Sequence, residues 1–128
     1  MANSDWTAST TPVDNFQSMQ ARVPPIEVDP GGTVNLNIVI NRVGSSPTLP
    51  HTVKLRTDFQ RTDGNGETRS GDGPDDYSVD SDDYEVHHAQ TIPADFPQPS
   101  NWNILVRMRD GDDPWVIRTE TAIAIPDL

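Results

Sequence analysis

Residues 101–109, NWNILVRMR, and residues 115–125, WVIRTETAIAI, flank the run Asp110-Gly111-Asp112-Asp113-Pro114, and this arrangement decides the fold. In the first run Trp102, Ile104, Val106 and Met108 share one parity, while Asn103, Arg107 and Arg109 take the other and Leu105 breaks the alternation. An apolar row at every second residue is the pattern of a strand buried on one face. In the second run Trp115, Ile117, Thr119, Thr121, Ile123 and Ile125 form the aromatic and β-branched row, with Arg118 and Glu120 opposite. Two such strands around a Gly/Asp/Pro turn predict a hairpin. Taken strictly, the five-residue loop pairs Met108 with Val116 and Val106 with Arg118, which turns an arginine toward the core. The register is therefore expected to slip by one, through a longer loop or a bulge, setting Met108 opposite Trp115 or Ile117.

Upstream, Val34, Leu36, Ile38 and Ile40 alternate with Asn35, Asn37 and Asn41, and Val53, Leu55 and Phe59 alternate with Lys54, Arg56 and Asp58. Both patterns predict half-buried strands. Tyr84, Val86 and His88 against Glu85, His87 and Ala89 predict one more, running toward Ile92. Pro24-Pro25-Ile26-Glu27-Val28 reads as a short edge strand, ended by the turn-forming Asp29-Pro30-Gly31-Gly32. Residues 61–83 hold five glycine or proline positions and eight acids, and read as a long acidic loop or frayed hairpin anchored by Tyr77 and Val79. No helical period emerges. The expectation is an all-β, antiparallel sandwich over residues 25–128. Residues 1–24, polar with isolated Trp6, Val13, Phe16, Met19 and Val23, read as an extended N-terminal arm ordered by contact with another subunit.

Charge narrows the function classes. The 128 residues carry 20 acids against 9 bases, a net charge of −11, so nucleic acid and anionic membrane surfaces are excluded as partners on electrostatic grounds. Asp outnumbers Glu 16 to 4 and Arg outnumbers Lys 8 to 1. Short, strongly hydrated carboxylates keep a surface solvated where salt reduces the screening length to a few ångströms. Leu, Ile, Val and Phe make up only 27 of 128 residues, so the core is small. With no cysteine there is neither a disulfide framework nor a thiolate metal site. The opening Met-Ala-Asn-Ser-Asp-Trp has no basic or apolar region, so synthesis in the host cytoplasm without export is expected.

The run from Pro30-Gly31-Gly32-Thr33-Val34 through Asn41-Arg42-Val43-Gly44, followed by Thr91-Ile92-Pro93-Ala94 before the final hairpin, resembles CARDB-type immunoglobulin-like modules over residues 25–126. The resemblance implies an immunoglobulin-like β-sandwich, a fold with many unrelated uses. The Asp- and Arg-biased composition resembles that of proteins from extreme halophiles and their viruses.

Candidate chemistry is sparse. Asp63-Gly64-Asn65-Gly66-Glu67 opens like a calcium loop but has Thr68 and Pro74 where the helix-loop-helix version needs glycine and glutamate. A looser site for calcium or another cation could use Asp72, Asp75, Asp76, Asp80, Asp82 and Asp83, or Asp110, Asp112 and Asp113, although acidic clusters are more often solvated surface. His87 and His88 are adjacent on a strand and point to opposite faces, so they cannot hold one metal together. No Gly-x-Ser-x-Gly elbow, cysteine nucleophile or phosphate-binding glycine loop occurs. Catalytic residues are therefore assigned to none, no resident cofactor is expected, and the protein is read as not an enzyme. Trp102 and Trp115 are placed with the core or at an end of the sandwich, while Trp6, Phe16 and Met19 are the candidate partner-binding residues.

These readings converge on a virion structural protein, a capsid decoration, turret or other minor capsid protein of a haloarchaeal virus, located in the virion. Its expected partners are the major capsid protein or other virion subunits, and copies of itself in a homo-oligomer. The alternatives are a ligand- or receptor-binding immunoglobulin-like module, with recognition on loops 42–50, 61–83 and 110–114, and a small metal-dependent enzyme.

Overall fold

A computed structural model describes residues 6–12, 26–42 and 48–128 of the chain. Among them there is no helix, and two sheets face each other in a sandwich-like arrangement. The smaller sheet orders β1 (Trp6–Pro12), β3 (Thr33–Arg42) and β7 (Asp83–Thr91), all antiparallel. The larger sheet runs β2 (Ile26–Glu27), β9 (Val116–Ile125), β8 (Ser100–Arg109) and β4 (His51–Arg61). Its far edge is shared by β5 (Thr68–Ser70) and β6 (Asp75–Val79), which both pair with β4. Among the described strands only β2 is parallel to its neighbour, β9.

The alternating rows produce the core. Val34, Leu36, Ile38 and Ile40 of β3 face Val53, Leu55 and Phe59 of β4 and Trp102, Ile104, Val106 and Met108 of β8, all buried in one cluster. Trp102 is fully buried: Phe96 stacks on its ring with centroids 4.0 Å apart, and Phe59 meets Phe96 edge-on at 5.1 Å. Its indole N–H donates to Ser100 Oγ at 2.7 Å, which keeps the one polar atom of a large apolar side chain satisfied. Gly31, at φ 82°, turns the chain so that its N–H donates to the Ile92 carbonyl at 2.9 Å.

The final hairpin forms as expected, and its register shift falls beyond Met108 and Arg107, further from the turn than the sequence suggests. Met108 pairs with Val116 and Arg107 with Ile117, then the register shifts and Val106 pairs with Thr119. Arg118 is the residue passed over, so the bulge falls where an arginine would otherwise face the core. Met108 therefore sits opposite neither Trp115 nor Ile117, and the parity of β9 reverses on the turn side of the bulge. Ile117 shares the outer face with Arg107 and is 42% exposed, and Trp115 is half-buried outside the core cluster.

Two further expectations are corrected. Of the two readings of residues 61–83 the loop falls and the hairpin stands: β5 turns back along β4, and β6 continues the same edge beyond a break at residues 71–74. The expected anchors Val79 and Tyr77 lie in the core and against it. At the break Gly71 N–H donates to the Thr57 carbonyl at 3.0 Å and Thr57 N–H to the Asp72 carbonyl at 2.9 Å. A side chain at Gly71 would lie 2.6 Å from that Thr57 carbonyl, so glycine is required by the approach itself. Residues 6–12 are not an arm without a place in their own domain: β1 pairs with β3 from Trp6 opposite Arg42 to Pro12 opposite Leu36, and Ala8 packs against the core. A Thr-rich segment supplies the backbone groups an edge needs without an apolar row of its own. Beside the break in the β5–β6 edge, Thr57 and Gln90 are buried and hydrogen-bonded to each other, His88 reaches Gln90 Oε1 at 3.2 Å and Asp72 at 3.1 Å, and the two sheets are tied by a polar strap.

Candidate functional site

Register fixes which side chains share the outer face of the larger sheet. Lys54 lies opposite Arg109 and Arg56 opposite Arg107, so two like-charged pairs face each other across β4 and β8. Such pairs are unfavourable unless carboxylates intervene. Asp58, its side chain 14% exposed, accepts from Arg56 Nε at 3.1 Å and lies 2.7 Å from Arg107 Nε, an off-axis ion pair that leaves that nitrogen without a well-directed hydrogen bond. Lys54 donates to Asp76 at 2.8 Å. Leu105, between Asp58 and Glu120 on this face, is 1% exposed yet lies outside the core cluster, so the surrounding side chains roof it over.

Trp115 sits against this group, with the Arg56 guanidinium carbon 4.8 Å and that of Arg109 5.0 Å from a ring centroid. Eight of the nine bases lie among the described residues, and Arg42, Lys54, Arg56, Arg61, Arg69 and Arg107 each have a carboxylate partner. Arg109 and Arg118 have none among the described residues, and their Nε atoms are buried without a hydrogen bond. Burial pushes the Arg118 guanidinium below its ordinary pKa. In a chain of net charge −11 the uncompensated cations among the described residues thus belong to the β8–β9 hairpin, Arg109 against the Trp115 ring and Arg118 next in sequence to the exposed Ile117.

A guanidinium stacked on a ring is held in plane with its N–H edge free, the geometry that grips a carboxylate through two bonds. Next to the indole, a shallow cleft of about 240 Å³ is lined by Arg56, Asp58, Thr68, Arg69, Ser70 and Arg107. Its polar, open form suits recognition of a surface segment better than enclosure of an apolar small molecule.

The sequence candidates are dispersed. Asp72 contacts His88, Asp75 and Asp76 lie exposed on β6, Asp110 meets His51 Nε2 at 2.8 Å, and Asp112 and Asp113 lie in the β8–β9 turn. Among the described residues no three His, Asp or Glu side chains converge on a metal position. In the calcium-like turn, Asp63 Oδ1 is taken by Arg61 at 2.8 Å and by the Asn101 N–H at 3.1 Å, and Asn65 Oδ1 by the Glu67 N–H. His87 and His88 point to opposite faces of β7, as the alternation requires. Trp6 opens β1, while its side chain, and Phe16 and Met19 entirely, lie outside the described residues. The arginine face was missed because Trp115 was placed with the core or at an end of the sandwich; the signal available was Arg107, Arg109 and Arg118 on two adjacent strands of an otherwise acidic chain.

Compared with protein-family models and with curated proteins, the chain matches none.

Proposed function

We propose that this chain is an assembly module that docks onto carboxylate-bearing protein surfaces, in its most specific form a decoration, turret or other minor capsid protein of a haloarchaeal virus. In this reading the strands follow an immunoglobulin-like plan, and the protein works in the virion as a homo-oligomer on the major capsid protein. The observation that carries the reading is the β8–β9 hairpin, where Arg109 on the Trp115 ring, Arg118 in the bulge and the exposed Ile117 leave cation and apolar surface uncompensated. An arginine nitrogen buried without a partner costs stability, and a partner carboxylate is the group that would recover it. The Asp-for-Glu and Arg-for-Lys bias adds the high-salt setting. Antibodies against the chain should label intact particles of the parent halophilic virus in molar salt; labelling only of lysate proteins contradicts the reading.

A second reading, a receptor- or ligand-binding module, is favoured by the cleft lined by Arg56, Arg69 and Arg107. It predicts saturable binding of a small carboxylate by the isolated protein, whereas the assembly reading predicts binding only to multivalent acidic surfaces.

A further inference from the structure

The two sheets are unequal. Three strands face six, and the smaller sheet ends at β7. That strand is nine residues long, keeps unbroken register with β3, and contains neither proline nor glycine. Among the described residues no strand pairs with its outer side. A long regular edge is a template for another strand, and proteins usually blunt such edges with breaks or prolines. The larger sheet does so at residues 71–74. On β7 there is no break, and Asp83, Glu85, His87, Ala89 and Thr91 lie exposed along one face.

We propose that β7 pairs antiparallel with β7 of a second copy about a two-fold axis at Val86, joining two three-stranded sheets into one of six. Paired residues share a face, so the axis must pass through a residue rather than between two. With the axis at Val86, Glu85 meets His87 of the second copy twice, Asp83 meets Ala89, and Tyr84 meets His88. No like charges oppose each other. With the axis at Glu85 two glutamates would meet, and with the axis at His87 two histidines would. Glu85 and His87 already lie 3.6 Å apart within one chain, so the Val86 register closes an alternating four-residue cluster on one face. The antiparallel arrangement also carries the two acidic β6–β7 turns, with Asp80 and Asp82, to opposite ends of the joined sheet. A contact of this kind is isologous and closes at two copies.

The inference rests on the assembly reading for its purpose, and one set of variants separates the two. Glu85 and His87 side chains are 58% and 69% exposed, so charge changes there leave the sandwich intact, verified by an unchanged melting temperature. Sedimentation of the full chain in molar potassium chloride should show a dimer. Glu85→Lys and His87→Glu should each weaken it by about tenfold or more, and the double variant, which rebuilds the pair with signs exchanged, should restore it. A monomeric wild-type chain, singles that dimerise normally, or a double variant that stays weak overturns the pairing. Particle binding by a chain that does not self-associate also overturns it, and the homo-oligomer with it, and leaves docking onto the particle standing. Charge-swap-dependent dimers that never bind particles support the pairing and overturn that reading.

Discussion

Arg118 occupies the β9 bulge with no carboxylate partner among the described residues, its Nε buried and its guanidinium desolvated. A desolvated, unpaired cation is a net cost in the free protein. Arg118→Met should therefore raise the urea midpoint of unfolding, while weakening attachment to an acidic partner. Asp63 behaves differently. The Arg61 hydrogen bond first, and the Asn101 N–H second, hold its carboxyl below the usual carboxylate range. A depressed folded-state pKa gives a contribution that is complete above the unfolded value of about 3.9 and is lost as pH falls through the lower folded value. Asp63→Asn should reduce the fall in urea midpoint between neutral and strongly acid pH, and an identical pH profile would contradict the assigned role. Neither residue's state was legible in the sequence. Arg118 was recognised as a register problem, but the position of the bulge depends on packing across β8.

At the scale of elements, alternation was readable where one face of a strand is buried and the other solvated. That holds for β3, β4, β7 and β8, whose apolar rows became the core. β5 and β6 were legible only as one of two alternatives because three and five residues, with Arg69, Asp75 and Asp76 among them, are too few and too charged to show a period. β1 was illegible because an edge strand can be specified by backbone pairing alone. The two tryptophans of the final hairpin had the same sequence signature and opposite fates, since the bulge reverses parity for Trp115 and leaves Trp102 inside. Trp102→Ala should accordingly cost about 3–5 kcal/mol, removing the ring on which Phe96 stacks. Trp115→Ala should cost less than half as much, measured in the same urea titration. Equal losses would place both rings in one core.

For the whole molecule, a net charge of −11 on a core this small makes stability a function of salt. The unfolding midpoint should rise from tens of millimolar to molar potassium chloride as screening weakens repulsion among Asp72, Asp75, Asp76, Asp80, Asp82 and Asp83. A flat dependence would contradict the high-salt reading. On the proposed assembly function, the same screening would let this acidic protein approach an acidic partner, leaving short-range contacts from the arginine and tryptophan face to hold it. Cosedimentation with purified particles in molar salt tests that claim most directly, comparing the wild-type chain with Arg109→Glu and Trp115→Ala after each has been shown to fold. Wild-type protein should pellet with the particles while both variants stay in the supernatant; variants that pellet as fully as wild type, or a wild-type chain that does not pellet, would contradict the account.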